Sequence, residues 1–253
     1  MKALGVIPAR IGATRFPAKP LALIKGTPMV VHAWRRAAAC EALARVVVAT
    51  DDESIAGVIR AAGGEAVLTR ADHASGTDRV AEVAARAEFA EFGAVVNVQG
   101  DEPAIDPRAI AAAVLPVVAG QARIATLAYE ETDEAAFASA DAVKVVLDTQ
   151  GDALYFTRAP IEGARTGGAF LRHIGLYVYE RGTLAAFAGL TPSPLERLER
   201  LEQLRALWHG IRIRVVRTPY ASRGVDTPQD LAALERDWDQ LTGGESPAKE
   251  HRR

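Results

Sequence analysis

The chain has 253 residues, enough for one large α/β domain or for one domain with a smaller appended lobe. Its net charge of −2 provides no overall field for binding nucleic acid or an anionic membrane. One cysteine, Cys40, excludes an intramolecular disulfide, and no apolar run is long enough to span a bilayer. The N-terminus shows no signal-peptide pattern. We therefore predict a cytoplasmic protein with no nucleic-acid partner and no membrane insertion.

Apolar β-type runs alternate with amphipathic stretches through the first half of the chain. This rhythm predicts a doubly wound, mostly parallel, Rossmann-like sheet with helices on both faces. The predicted strands are 3–7, 45–49, 66–68 and 94–98, and the predicted helices are 28–40, 53–62, 79–89 and one that begins after residue 107.

After about residue 123 the connections become shorter, which predicts a smaller mixed-sheet lobe over 123–190. Leucines at every third position predict a helix over 193–208. This helix belongs to the segment 191–242, in which we expect the chain to return to the main sheet. We expect one domain over 1–242 and a disordered polar tail over 243–253. The strands predicted in this half are 124–129, 143–148, 153–158, 173–179 and 211–216, and the last helix is 228–241.

Three cations follow the first strand: Arg10, Arg15 and Lys19. Gly12, Pro17 and Pro20 punctuate this segment and keep it from forming a helix. In open α/β sheets, ligands bind at the C-terminal ends of the strands. Arginine offers fork-shaped hydrogen bonding to phosphate and lysine offers a point charge. A polyanion site is favoured here over a merely solvated basic loop.

Two acidic residues are candidates for a metal site. Asp101 follows the buried strand 94–98, where a carboxylate is either a Mg²⁺ ligand or part of a strand-ending turn. The cationic loop on a neighbouring strand favours the metal. Asp226 precedes the last helix, for which Thr227 and Pro228 provide the cap and the first turn. Asp226 is a second ligand if its loop reaches the same crevice.

The remaining polar motifs have structural explanations of their own. Ser75 and Gly76 precede a helix, so they either cap it or bind a base edge or an anion. His173 lies in a strand, where a lone histidine is more often structural than catalytic. We interpret Glu202 and Gln203 as part of the solvated face of the leucine-rich helix. The chain has no Gly-x-Gly-x-x-Gly after its first strand, no P-loop, no zinc cluster and no nucleophile elbow.

Eight short strings occur along the chain in a characteristic order and spacing: 7–10 with 19–21, 49–51, 70–79, 96–103, 142–146, 172–177, 201–205 and 224–228. Taken together, these strings resemble the 3-deoxy-manno-octulosonate (Kdo) cytidylyltransferases, over residues 6 to about 234. The related sialic acid and methylerythritol phosphate cytidylyltransferases match the strings 73–79 and 202–203 less well.

The resemblance implies a nucleotidyltransferase that makes CMP-Kdo and pyrophosphate from CTP and Kdo, a 3-deoxy-2-ulosonic acid, for lipopolysaccharide biosynthesis. It implies that 1–122 is the nucleotide-binding half, that 123–190 forms the sugar pocket and dimer contact, and that the enzyme is a homodimer. Arg10, Arg15 and Lys19 would hold the triphosphate, Asp101 and Asp226 would bind Mg²⁺, and Ser75 with Gly76 would read cytosine. The residues implied for the sugar-acid pocket are Arg79, Gln99, Arg158, His173, Tyr177, Glu202 and Gln203.

The chain departs from the family pattern at three places. Ala13 stands where the family usually has serine, and Ala18 where it usually has glycine. Alanine at residue 18 costs little if φ is negative and about 1 kcal/mol or more if it is positive. The segment 159–169 is shorter than usual. Two alternatives therefore stay open: the same reaction on the 8-amino analogue of Kdo, and a non-catalytic CTP-binding homologue.

Overall fold

The computed structural model describes residues 1–12 and 16–243. Arg15 and all but the first residue of the predicted tail lie outside the described residues. The strands are β1 (Lys2–Ala9), β2 (Leu23–Ile24), β3 (Thr27–Pro28), β4 (Arg45–Thr50), β5 (Glu65–Leu68), β6 (Phe92–Asn97), β7 (Ile124–Glu131), β8 (Lys144–Leu147), β9 (Ala153–Thr157), β10 (Arg165–Thr166), β11 (Ala169–Glu180) and β12 (Ile213–Arg217).

The helices cover both faces of the sheet. They are α1 (Met29–Ala38), α2 (Glu53–Ala61), α3 (Gly76–Ala85), α4 (Pro107–Val118), α5 (Glu134–Ala138), α6 (Arg181–Ala188), α7 (Pro194–Glu199), α8 (Leu204–Trp208) and α9 (Pro228–Thr242). Within the described ranges, none of them combines the length and the apolar character needed to cross a bilayer.

The main sheet runs in the order β12–β7–β11–β6–β1–β4–β5. β6, β1, β4 and β5 are parallel neighbours, and β12 is parallel to β7. β11 lies antiparallel between β6 and β7. The hairpin β8–β9 and the short β10 extend from β11. This arrangement confirms the predicted mostly parallel α/β sheet with a mixed extension, and it places the ends of β1 and β6 side by side.

The central strands β1, β4 and β6 are apolar along most of their length because both of their faces are covered. In β1, Leu4 and Val6 pack with Val80 of α3 on one face. Ala3 and Ile7 pack on the other face with the residues of α1 and α4. Successive side chains of a strand point to opposite faces, so a continuous apolar run is what a doubly covered strand needs.

The prediction of one helix over 193–208 is wrong. Arg200 adopts φ +55° and separates α7 from α8. Residues spaced by three advance by about 300° around a helix, so five such leucines drift around it instead of lining one face. Leu198 is accordingly 78% exposed, whereas Leu201 and Leu204 are buried. After the break, Leu201 and Gln203 are buried.

Other elements also differ from the sequence prediction; the strand expected over 173–179, for example, is the longer β11. The helix expected over 79–89 begins at Gly76, because Ser75 and Asp78 form a capping box, and it ends at Ala85 before a 3₁₀ turn at Ala87–Phe89. The helix α6 follows β11 directly and was not predicted. At α9, by contrast, Thr227 caps the helix and Pro228 lies in its first turn, as predicted.

Candidate active site

A cleft of about 320 Å³ opens at the C-terminal ends of β1 and β6. Its walls come from the segment after β1, the start of α3, the turn after β6 and the loop before α9. It gathers eight of the residues that the sequence analysis selected: Arg10, Lys19, Ser75, Gly76, Arg79, Gln99, Asp101 and Asp226.

A larger cavity, of about 440 Å³, lies near the start of β7 and of β12. Arg123, Arg212 and Arg214 line it together with Asp152, which accepts a 2.6 Å hydrogen bond from Arg214 Nε. None of the selected residues lies there. The convergence of chemistry-bearing side chains, and not the size of the cavity, therefore identifies the smaller cleft as the candidate site.

Lys19 joins the two predicted metal ligands. Its Nζ donates to Asp101 Oδ2 at 2.7 Å, to Asp226 Oδ1 at 3.1 Å and to Val225 O at 2.9 Å. Burial by itself lowers the pKa of Lys19, but the two carboxylates outweigh it and the pKa is raised above its ordinary value. Lys19 thus carries its positive charge at physiological pH, at the point where the two carboxylates converge.

The loop that carries Asp226 has no helix or strand of its own and is attached to the turn after β6. Val225 N donates to Asp101 O at 2.9 Å, and the Ser222 hydroxyl donates to the Glu102 carboxylate. Loss of hydration, and then the neighbouring charge of Asp101, raises the pKa of Glu102 to about 7. These contacts bring Asp226 to Asp101.

The start of α3 forms another wall of the cleft. A Cβ built on Gly76 would lie 3.3 Å from Pro8 Cγ, so a glycine permits this close approach to β1. The Ser75 hydroxyl caps the helix by accepting from Asp78 N. Arg79 is buried, donates to Thr69 Oγ1 and lies 3.3 Å from Asp51 Oδ2. Arg79 is therefore a cation in the cleft whose charge is already partly balanced.

Beside the cleft lies a group of polar side chains that we call the polar cluster: Thr77, Asn97, Gln99, Tyr177, Glu202 and Gln203. Four of its members are joined by side-chain hydrogen bonds: Gln99 Nε2 donates to Asn97 Oδ1 at 3.2 Å, Asn97 Nδ2 to Thr77 Oγ1 at 3.4 Å, and Thr77 Oγ1 to Glu202 Oε2 at 2.5 Å. Three of its buried polar atoms form no hydrogen bond within the described residues: Tyr177 Oη, Gln203 Nε2 and Glu202 Oε1, the last of which lies 3.5 Å from a terminal nitrogen of Arg205.

A buried polar atom without a hydrogen bond costs about 1–3 kcal/mol, so Tyr177 Oη and Gln203 Nε2 indicate a place prepared for a polar ligand. The interpretation of Glu202 and Gln203 as a solvated helix face is wrong, because the break at Arg200 turns both of them inward. His173 adjoins the cluster, with its ring 5.4 Å from that of Tyr177. Burial lowers the pKa of His173 to about 3, so its imidazole is neutral.

Arg158 lies apart from both groups. Its Nε donates to Glu199 O at 3.0 Å and one terminal nitrogen donates to Ala140 O at 2.8 Å. These contacts tie the end of β9 to α7, and the role of Arg158 in a sugar pocket stays a prediction.

Sequence reasoning missed several residues that build the site. Asn97 offered a signal, since a polar residue that ends an apolar strand needs a partner. Thr77 offered no signal beyond its place at the start of a helix, and Glu102 and Ser222 carried no signal because their contact depends on where a loop folds.

Comparison with known proteins fits this geometry. Residues 4–213 match the family model described as cytidylyltransferase. The chain is 49% identical over 239 residues to 3-deoxy-manno-octulosonate cytidylyltransferase from Syntrophobacter fumaroxidans, covering 92% of this chain and 96% of the relative. It is 51% identical over 239 residues to the enzyme of that name from Solibacter usitatus, covering 93% and 94%.

The chain belongs to the 3-deoxy-manno-octulosonate cytidylyltransferase family. The resemblance of its sequence motifs is thereby confirmed, and so is its class as a nucleotidyltransferase. A solved structure of CMP:2-keto-3-deoxy-manno-octonic acid synthetase complexed with CTP has a TM-score of 0.87 and 40% identity, over 95% of this chain and 99% of that one.

A solved 4-diphosphocytidyl-2C-methyl-D-erythritol synthase from Anaerococcus prevotii has a TM-score of 0.63 at 11% identity, over 94% of this chain and 96% of that one. At this identity the likeness concerns the fold alone. The Kdo cytidylyltransferase family and this synthase thus share the parallel sheet and its helices.

Proposed function

We propose that this member of the family activates Kdo by transferring a cytidylyl group from CTP. The C2 hydroxyl of the sugar acid attacks the α-phosphorus of CTP, the bond to the β-phosphate breaks, and pyrophosphate leaves as CMP-Kdo forms. The observation that carries the proposal is the convergence of Lys19, Asp101 and Asp226 in a cleft that adjoins the polar cluster.

The triphosphate would bind between the segment after β1 and the start of α3. Arg10 and Lys19 line the cleft and carry the charge that a polyanion requires. Phosphoryl transfer needs in-line positioning and neutralisation of developing charge more than any covalent group on the protein. Arg10 and Lys19 would balance the charge of the departing pyrophosphate, and Arg15, outside the described residues, is proposed to assist them.

Members of this family are typically metal-dependent, and the donor set fits Mg²⁺. Asp101 Oδ2 and Asp226 Oδ1 both lie within 3.1 Å of the single cation Lys19 Nζ, so their oxygens converge on one place. Two carboxylates, phosphate oxygens and water are the ligands that Mg²⁺ prefers. When bound, Mg²⁺ would polarise the phosphoryl oxygen and lower the pKa of the attacking hydroxyl. Asp101 and Asp226 would hold it, and Lys19 would turn to the phosphates.

The sugar acid would bind in the polar cluster, whose unpartnered atoms match a ligand rich in hydroxyl groups. Tyr177 and Gln203 supply donors, and Glu202 supplies an acceptor. Arg79 or Arg158 would pair with the carboxylate of the sugar. Ser75 and Gly76, at the start of α3, are proposed to contact cytosine.

The resemblance also leads us to propose a homodimer that works in the cytoplasm and supplies lipopolysaccharide biosynthesis. Sedimentation of the purified protein tests the dimer, because a monomer at micromolar concentration contradicts it.

The test of the activity is pyrophosphate release from CTP and Mg²⁺ with either Kdo or its 8-amino analogue. Release with Kdo supports the proposal. Release with the amino sugar alone retains the chemistry and assigns the specificity to the short segment 159–169. CTP binding without release with either sugar favours the non-catalytic homologue, whose support is the pair Ala13 and Ala18.

A further inference from the structure

Thr126 contacts the histidine of the proposed sugar pocket. It lies on β7, opposite Tyr177 of β11, where the pairing of the two strands shifts between Ile174 and Tyr177. The side chain of Thr126 is fully buried. Its hydroxyl lies 2.9 Å from His173 Nε2, 2.6 Å from Leu176 O and 3.3 Å from Ile174 O.

These distances fix the direction of each hydrogen bond. A threonine hydroxyl has one proton, and a carbonyl oxygen can only accept. Two oxygens 2.6 Å apart need a proton between them, so the hydroxyl donates to Leu176 O. The 2.9 Å contact with His173 is then a hydrogen bond only if Nε2 carries a proton and donates it to Thr126 Oγ1.

The imidazole is neutral, since burial lowers the pKa of His173 to about 3. A neutral imidazole with a proton on Nε2 has a bare lone pair on Nδ1. Within residues 1–12 and 16–243, the hydrogen bond to Thr126 is the one that this ring forms. The ring lies between Phe156, 5.0 Å away in an edge-on arrangement, and Tyr177 of the polar cluster.

We propose that Thr126 is a positioning residue: it holds His173 in the tautomer with a proton on Nε2, so that Nδ1 accepts a hydrogen bond from a hydroxyl of the sugar substrate. The tautomer follows from the contacts of Thr126 alone, whereas the ligand rests on the proposed function. An acceptor here complements Tyr177 and Gln203, whose unpartnered atoms offer donors.

The tautomer is read directly by NMR of protein labelled with ¹⁵N-histidine, in which the protonated and bare ring nitrogens differ in shift and in coupling to the ring protons. His173 is assigned by the signal that His173→Gln removes. The wild type is expected to show a single tautomer with the proton on Nε2. Thr126→Ser should keep it, and Thr126→Val, which has the same shape and no hydroxyl, should lose it.

Kinetics then tests the ligand. A hydrogen bond between neutral groups contributes about 0.5–1.5 kcal/mol, so Thr126→Val should raise the KM for Kdo by about 2- to 12-fold and leave the KM for CTP unchanged. Thr126→Ser should restore the wild-type KM. Thr242→Val removes another buried threonine hydroxyl, bonded to Trp238 O, and controls for a general loss of packing.

A proton on Nδ1 in the wild type, or an unchanged tautomer in Thr126→Val, overturns the role of Thr126. Equal rises in both KM values overturn the assignment of Nδ1 to the sugar. If the tautomer is as expected but Kdo is not turned over by the wild type, the proposed function fails while the Thr126–His173 pair stands.

Discussion

Lys19 Nζ lies 2.7 Å from Asp101 Oδ2, and the same ammonium group reaches Asp226 Oδ1 at 3.1 Å. Asp101 follows a central strand, whereas Asp226 belongs to a loop near the other end of the chain. One lysine thus bridges two carboxylates and reduces the repulsion between them. The roles of Lys19, Asp101 and Asp226 can therefore each be tested by substitution.

Replacing Lys19 by methionine keeps most of the unbranched side chain and removes its charge. We expect the turnover number to fall by at least about 100-fold, because developing charge on the phosphates loses a preorganised cation. Lys19→Arg should recover part of the rate. Pyrophosphate release at saturating CTP measures this, and a rate for Lys19→Met within a few-fold of the wild type would contradict the assignment.

Asp101→Asn and Asp226→Asn should each weaken binding of a divalent cation and reduce turnover by about 100-fold or more. Binding is followed with Mn²⁺ and CTP by electron paramagnetic resonance, so that it is measured separately from activity. Asp237→Asn breaks an exposed ion pair with Arg223 and is the matched control. Metal binding in both variants as tight as in the control would exclude these carboxylates as ligands.

Ala18 has φ +52° and ψ +27°, a left-handed conformation that favours glycine. The backbone at Ala18, where the family usually has glycine, is therefore strained. Ala18→Gly is expected to raise the free energy of unfolding by about 1 kcal/mol. Ala22, with φ −59°, is the control, since glycine there should lower stability. Urea denaturation measures the free energy of unfolding of both variants. A loss of stability in Ala18→Gly would contradict a strained backbone at this residue.

Tyr177→Phe removes a buried hydroxyl that has no partner among the described residues. We expect the melting temperature to stay level or to rise, because an unsatisfied polar group is lost, while the KM for Kdo increases by about tenfold. Tyr155→Phe is the control: its hydroxyl donates to Glu199 Oε1 at 3.2 Å, so its loss should affect stability and not the KM. A lower melting temperature and an unchanged KM in Tyr177→Phe would assign Tyr177 to the core alone.

His173 makes stability depend on pH. Its pKa is about 3 in the folded protein and 6.5 when unfolded, so between these values the unfolded chain binds the extra proton. Stability is therefore lost as pH falls below 6.5, with a slope of up to ~1.4 kcal/mol per pH unit from this residue. The free energy of unfolding of His173→Gln, expressed relative to its own value at pH 8, should decline less between pH 6.5 and 4.5 than that of the wild type. Parallel curves for the variant and the wild type would contradict the depressed pKa.

The alternation of apolar strands and amphipathic helices determined the sheet, because doubly covered strands must be apolar throughout and helices must bury one face. It also determined that the segments after β1 and β6 would meet, since parallel neighbours end at the same edge. Arg10, Lys19 and Asp101 could be placed near one another for that reason. The motifs were enough to recognise the family.

The tertiary structure alone decided the rest. Asp226 reaches Asp101 through contacts of an irregular loop, which has no periodicity for a sequence pattern to reveal. Glu202 and Gln203 face the polar cluster because Arg200 breaks the helix. The tautomer of His173 follows from one hydroxyl on a neighbouring strand. Periodicity records which face of an element is buried, whereas a hydrogen bond between distant segments depends on where their backbones come to lie.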